Sequence, residues 1–177
     1  MTLPFRRFEG VVYRGHNPRW AFAPLSGDGA KRRGGRFNPK GTPALYTALL
    51  SRTAWLEAQQ GLAFKAQPLT LVSYDVDCAD ILDLTDEATR AASGAPLETL
   101  RGAWEDLADR GETPPTWALA DRLIAAGCAG VIVPSFTKGA STEDLNFVFW
   151  RWSADGAHRL RVIDDDGRLP KNDRSWR

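Results

Sequence analysis

The sequence has two cysteines and two histidines, and that scarcity removes several kinds of chemistry. Cys78 and Cys128 are too few and too far apart for a metal knuckle or a disulfide framework, and read as buried small hydrophobes. His16 and His158 stand without a Gly-x-Ser-x-Gly elbow, so a Ser–His–acid hydrolase fits poorly. The acidic runs Asp164-Asp165-Asp166 and Asp75/Asp77 lack a ligand pattern, so no metal is expected. An excess of one charge is also missing: 23 basic against 22 acidic side chains give a net charge of +1. No global field gathers nucleic acid or an anionic membrane, and any anion binding must be local. Long apolar runs are absent. Even residues 145–152 are interrupted by Asn146 and Arg151, far short of the roughly 20 apolar residues of a spanning helix. The first ten residues contain Arg6 and Arg7 but no apolar stretch or small-residue cleavage site after them, so the expected location is the cytoplasm. Neither a P-loop ending in Gly-Lys-Ser/Thr nor a Gly-x-Gly-x-x-Gly fingerprint after a strand is present.

What is there suits a folded enzyme-sized body. At 43% hydrophobic, with seven tryptophans and eight phenylalanines, the chain can bury a sizeable core, and one domain over residues 1–177 is expected. Its core runs from about residue 10 to 163, and a charged tail occupies 164–177. Short β-branched or alternating runs predict strands at residues 10–15, 44–47, 69–77, 81–84, 130–135, 145–152 and 159–163. Helices are predicted at 51–60, closed by Gly61, at 86–93, at 97–110, and from a Thr116 cap to Gly127. Residues 16–43, rich in Gly, Pro, Arg and Lys, read as a long loop of the kind that serves a site. Strands with segregated helices point to an α+β fold.

Six side chains stand out. Arg14 follows a β-branched run and precedes Gly15, which places a guanidinium at a strand end with room for a ligand at the glycine. The loop Lys31-Arg-Arg-Gly-Gly-Arg36-Phe-Asn38 surrounds two glycines with cations, a composition suited to a pyrophosphate; a solvated basic loop is the plainer alternative. Tyr46, in a short apolar strand, can stack a flat heterocycle or simply fill the core. Glu57 sits among Trp55, Leu56 and Ala58, an apolar setting that turns its carboxylate inward, with the loop arginines as nearest expected partners. Ser135 and Asn146, at the ends of two strands, can offer neutral hydrogen bonds to ribose or amide groups.

The ordered set Tyr13-Arg14-Gly15, Gly34-Gly35-Arg36-Phe37-Asn38, Leu45-Tyr46, Glu57 on a helix, and Val133-Pro134-Ser135 resembles the RES domain, a family named for an Arg, a Glu and a Ser. These map to Arg14, Glu57 and Ser135. The resemblance covers residues 10–163, with an extra helical portion near 95–115. It implies an ADP-ribosyltransferase-like fold, with split mixed and antiparallel sheets and flanking helices. It implies too a toxin of a toxin–antitoxin pair that uses NAD as substrate and cleaves the nicotinamide–ribose bond. The ADP-ribose would pass to a protein, water or phosphate. A helical antitoxin whose tail blocks the site would be the partner. In that reading Glu57, Arg14 and Tyr46 are catalytic, and Arg14, Arg36, Tyr46, Ser135 and Asn146 bind NAD. The competing reading is a non-catalytic module that holds a nucleotide or an RNA phosphate.

Overall fold

The computed structural model describes residues 2–59 and 66–176. Three strands form one half of its sheet: β1 (Arg6–His16), β3 (Thr70–Asp83) and β6 (His158–Val162), with β1 and β6 antiparallel to opposite edges of β3. The other half is β2 (Leu45–Ala48), β5 (Leu145–Phe149) and β4 (Gly130–Pro134), also antiparallel. The halves join twice. Residues 81–83 of β3 run parallel to β4, and Tyr13 of β1 pairs with Ala48 of β2. The order is therefore β1-β2-β5-β4-β3-β6, with β1 returning to β3.

The sequence reading breaks β3 into two pieces at residues 78–80, and the structure gives that break a cause. Asp80 has φ 59, the one non-glycine residue in the left-handed region among the described residues. There β3 leaves β6 and takes up β4: the Ala79 N–H reaches Ala157 O at 2.7 Å, and Asp80 O accepts from Ala129 N at 2.9 Å. His158 Nε2 lies 2.9 Å from Asp80 Oδ2, which fixes the bend. Asp is among the residues that tolerate this backbone, because a short polar side chain can bond locally.

The core lies on both faces of β4, whose first four residues are buried. Val131 and Val133 pack with Leu82, Leu84, Leu100, Leu119, Leu123, Val148 and Trp150. Ile132 points the other way, into Val12, Leu45, Tyr74, Ile81, Phe147, Phe149 and Leu160. A short run with no polar face is what a strand buried on both sides requires.

Helices α3 (Glu87–Ser93), α4 (Leu97–Arg101), α5 (Trp104–Asp109) and α6 (Pro115–Ala125) lie between β3 and β4 in sequence. Asp86 caps α3 by accepting from Thr89 N at 2.7 Å, and Gly94, at φ 57, ends it. The helix expected over 97–110 is two, parted at Gly102-Ala103. Thr116 is not the cap expected of it. Pro114 holds that position, Pro115 opens the helix, and Thr116 is inside with its hydroxyl buried. Leu119, Ala120 and Leu123 then form the buried stripe. The stretch read as loop, 16–43, carries a 3-10 turn at Pro18–Trp20 and the short helix α1 (Asp28–Arg33). Helix α2 spans Ser51–Gln59, and its expected terminator, Gly61, lies outside the described residues.

Candidate functional site

Helix α2 lies across β1 at Gly15. A Cβ on that glycine would stand 2.8 Å from Ala58 Cβ and 3.3 Å from Ala54 O. The glycine after Arg14 therefore makes room for a helix, not for a ligand as the sequence suggests. The close packing sets the height of α2 on the sheet, and α2 carries Glu57.

Glu57 is half-buried and faces the end of β4 and the start of β5. Ser135 Oγ donates to its Oε1 at 2.6 Å and Asn146 Nδ2 donates to the same oxygen at 2.5 Å. The Ser135 hydroxyl itself accepts from Thr137 N at 3.3 Å, which leaves its proton for Glu57. A carboxylate demands donors, so the Asn146 amide must turn its nitrogen to Glu57; its Oδ1 is left buried and without a partner. Three residues separated by up to 89 positions meet at one oxygen. The expected arginine partners do not form: among the described residues no cation stands within ion-pair distance of Glu57. Neutral donors orient the carboxylate without cancelling its charge, and Oε2 has no protein partner among the described residues.

Tyr46 and the basic loop form the neighbouring wall. Tyr46 Oη donates to Asn38 Oδ1 at 2.7 Å and accepts from Phe37 N at 2.9 Å. Burial pushes this phenol well above its ordinary pKa, so it remains a neutral hydroxyl. Asn38, fully buried, shares its amide NH₂ among the carbonyls of Ala30, Pro39 and Thr42. Gly35 is obligatory here, since a Cβ would lie 2.5 Å from Tyr46 Oη and 2.8 Å from Asn38 Oδ1. Two indoles strap the loop down: Trp117 Nε1 donates to Gly35 O at 2.7 Å and Trp150 Nε1 to Phe37 O at 2.8 Å. The glycine N–H groups of the loop are used internally, Gly34 to Ala30 O and Gly35 to Asn38 O. What the loop offers is a side chain.

That side chain is Arg36. Its Nη1 donates to Leu100 O at 3.1 Å and Gly102 O at 2.7 Å, and its guanidinium stands 5.2 Å from the centre of the Phe136 ring. The segment near 95–115 thus has a contact: its carbonyls at the end of α4 aim Arg36. Burial lowers the pKa of this guanidinium, and the fields of Glu57, Tyr46 and Glu105 oppose the shift. Arginine stays charged through such changes, and the other three of its five N–H donors are not engaged by these carbonyls.

Arg14 is on the inner face of β1, two residues before the strand ends. Nη1 donates to Ser26 O at 3.3 Å, and burial lowers its pKa too. Beside it His16 Nε2 meets Tyr74 Oη at 2.7 Å, and Tyr74 donates onward to Pro24 O at 2.9 Å. These bonds hold residues 24–26 against the sheet. Arg14 has no carboxylate partner among the described residues, and it is not among the side chains that bond to Glu57. Ser135, Asn146 and Glu57 are brought together by hydrogen bonds, and Arg36 reaches them through Phe136 and its field. Asn38, which orients Tyr46, has no assigned role in the sequence reading; its signal was the Asn that closes the glycine loop. Among the described residues no cluster of His, Cys, Asp and Glu could hold a metal, and no helix is long and apolar enough to cross a membrane.

Among curated proteins, none matches the chain. Among solved structures, the chain is similar to one from the M. tuberculosis MbcT–MbcA toxin–antitoxin complex. That match has a TM-score of 0.62 and 21% identity, and covers 90% of this chain and 84% of that one. At this identity the likeness concerns the fold. The family model described as RES domain matches residues 11–172, which takes in every side chain named above. With nearly its whole length matched, the chain belongs to the RES domain family.

Proposed function

We propose that this protein is a NAD-consuming toxin that cleaves the nicotinamide–ribose bond and passes ADP-ribose to a protein, water or phosphate. The observation that carries the reading is the Glu57 carboxylate, held through Oε1 by two neutral donors, with no protein partner on Oε2 among the described residues. In NAD the nicotinamide is a cationic leaving group. The C–N electron pair departs with it, the ring leaves neutral, and no general acid is needed. The ribose gains oxocarbenium character as the bond breaks, and a negative oxygen fixed near it stabilises that charge without reorganising. Oε2 would do this from beside the ribose 2′-hydroxyl or the anomeric carbon, and Ser135 and Asn146 would hold the carboxylate in place. The acceptor then attacks the anomeric carbon and loses its proton.

Arg36 and Arg14 would take the pyrophosphate, each with N–H donors beyond those bonded to carbonyls. A fixed pyrophosphate lets remote binding energy orient the reacting ribose. Tyr46 would present its ring to the nicotinamide or ribose. An antitoxin as partner is supported by the solved relative, which is described as a toxin–antitoxin complex; in the proposal that antitoxin is helical and covers the site with its tail, and the setting is cytoplasmic. The test is incubation of purified protein with NAD, with and without phosphate and cell lysate, following nicotinamide and ADP-ribose by mass spectrometry. Nicotinamide release establishes the enzyme, and the carrier of the ADP-ribose names the acceptor. Failure to release it, from folded protein free of antitoxin, returns the chain to the non-catalytic phosphate-binding reading.

A further inference from the structure

The loop between β4 and β5 ends in a carboxylate with no solvent exposure. Asp144 accepts from Thr53 Oγ1 through Oδ1 at 2.5 Å. Through Oδ2 it accepts from Ser141 N at 2.7 Å, Ser141 Oγ at 2.9 Å and Arg52 Nη2 at 2.9 Å. Its main-chain oxygen accepts from Ser135 N at 2.7 Å. Burial pushes this carboxyl upward, but the bonds from Thr53 and Ser141 and the charge of Arg52 outweigh it and hold it below its ordinary value. A buried carboxylate so fully satisfied is a rigid anchor, because moving it would orphan several donors at once.

Its position gives the anchor a purpose. Thr53 precedes Glu57 by four residues, so both lie on one face of α2, one turn apart. Asp144 stands two residues before Asn146, and its backbone is bonded to Ser135. Helix α2 and the β4–β5 turn therefore meet on two rungs. Thr53 to Asp144 is the first, and Glu57 to Ser135 and Asn146 is the second. The first rung is buried and carries no open oxygen; the second is half-buried and does. We propose that Asp144, through Thr53, is a positioning residue that sets the spacing of α2 from the β4–β5 turn, so that Ser135 and Asn146 both bond to one oxygen of Glu57. This rests on the reading of Glu57 as the carboxylate that serves NAD cleavage.

Thr53→Val keeps the shape of the side chain and removes only the hydroxyl; Thr53→Ser restores it. Asp144→Asn keeps an oxygen for the Ser141 and Arg52 donors by turning its NH₂ to Thr53 Oγ1, which reverses the Thr53 bond; it is the second probe, and the Asn146 side-chain resonance should move in it as in Thr53→Val. Thr53→Val is expected to lower kcat for nicotinamide release by about ten- to a hundredfold, as a displacement near 1 Å at a reacting group does. The KM for NAD stays within about twofold, since the arginines are untouched, and Thr53→Ser recovers the wild-type kcat. An independent readout is the Asn146 side-chain amide in the ¹⁵N spectrum, assigned by its loss in Asn146→Ala. Its proton should move in Thr53→Val toward the position it takes in Glu57→Ala, and return in Thr53→Ser. An Asn146 resonance that does not move in Thr53→Val overturns the positioning role. So does a fall in kcat that Thr53→Ser fails to repair. If wild-type protein releases no nicotinamide, the NAD reading falls, and the amide resonance still decides whether Asp144 and Thr53 place Asn146 on Glu57.

Discussion

Lowering the pH from 7 to 4 should destabilise the protein through His16 in particular. The imidazole is 6% exposed, and burial first, then the neighbouring Arg14 charge, brings its pKa from 6.5 to about 4. In the unfolded chain it takes a proton near pH 6.5, whereas in the folded protein it resists until about pH 4. The unfolded state therefore binds more protons in this window. The stability contributed is complete above pH 6.5 and is lost as pH falls toward 4. A difference of about 2.5 pKa units at 1.36 kcal/mol each amounts to about 3 kcal/mol, a large part of the 5–15 kcal/mol typical of a domain. Carboxylates add their own slope at the acid end, so the comparison must be with a variant. His16→Gln keeps a donor for Tyr74 and has no proton to gain. Urea unfolding at pH 7, 6, 5 and 4.5 measures both proteins. The wild type should lose about 2 kcal/mol more than His16→Gln between pH 7 and 4.5, and parallel curves would refute the assignment of a buried neutral histidine beside Arg14.

Three further outcomes follow from the geometry. Gly15→Ala puts a methyl 2.8 Å from Ala58 Cβ, so α2 must shift; stability should fall by about 1–3 kcal/mol, and turnover should fall while the binding arginines stay in place, as denaturation and kinetics together would register. Asn38→Ala strips a donor from the carbonyls of Ala30 and Thr42 and the acceptor from Tyr46; a loss of at least about 2 kcal/mol is expected in urea unfolding. Arg36→Lys leaves one nitrogen to serve Leu100 O and Gly102 O, as Nη1 alone does now, but removes the three N–H donors not engaged by those carbonyls, and should raise the KM for NAD more than it lowers kcat in initial-rate measurements.

Elements with a local signal are legible in the sequence. The run of Gly130-Val-Ile-Val-Pro134 reads as a buried strand and is one, and the Asp86 cap and Gly94 stop bracket α3 within a residue of expectation. Features set by distant contacts are not. The bend at Asp80 depends on Ala129, Ala157 and His158, so one strand reads as two. The break between α4 and α5 coincides with carbonyls that Arg36 occupies from 64 and 66 positions away. Pro115 can open a helix as readily as Thr116 can cap one, and here Pro114 takes the cap position while Thr116 is buried inside the first turn. At the site, Glu57 is legible as a carboxylate within an apolar helix and Ser135 and Asn146 as polar residues at strand ends, and the structure joins the three. Their pairing with each other instead of with the arginines was not, because periodicity gives the face of a helix and not what stands opposite it. Asp144 carried no signal of its own, lying in a polar stretch, Ser141-Thr142-Glu143-Asp144, that resembles any surface turn.

The most direct test of the account is nicotinamide release from NAD by the wild type and Glu57→Gln, measured side by side with the KM for NAD. The substitution keeps shape and an acceptor for Ser135 and Asn146 but removes the charge. The account predicts a kcat lower by about 10²–10³-fold, the scale of a lost electrostatic group at a reacting centre, with KM little changed and the fold intact. A Glu57→Gln protein that releases nicotinamide at the wild-type rate would contradict it.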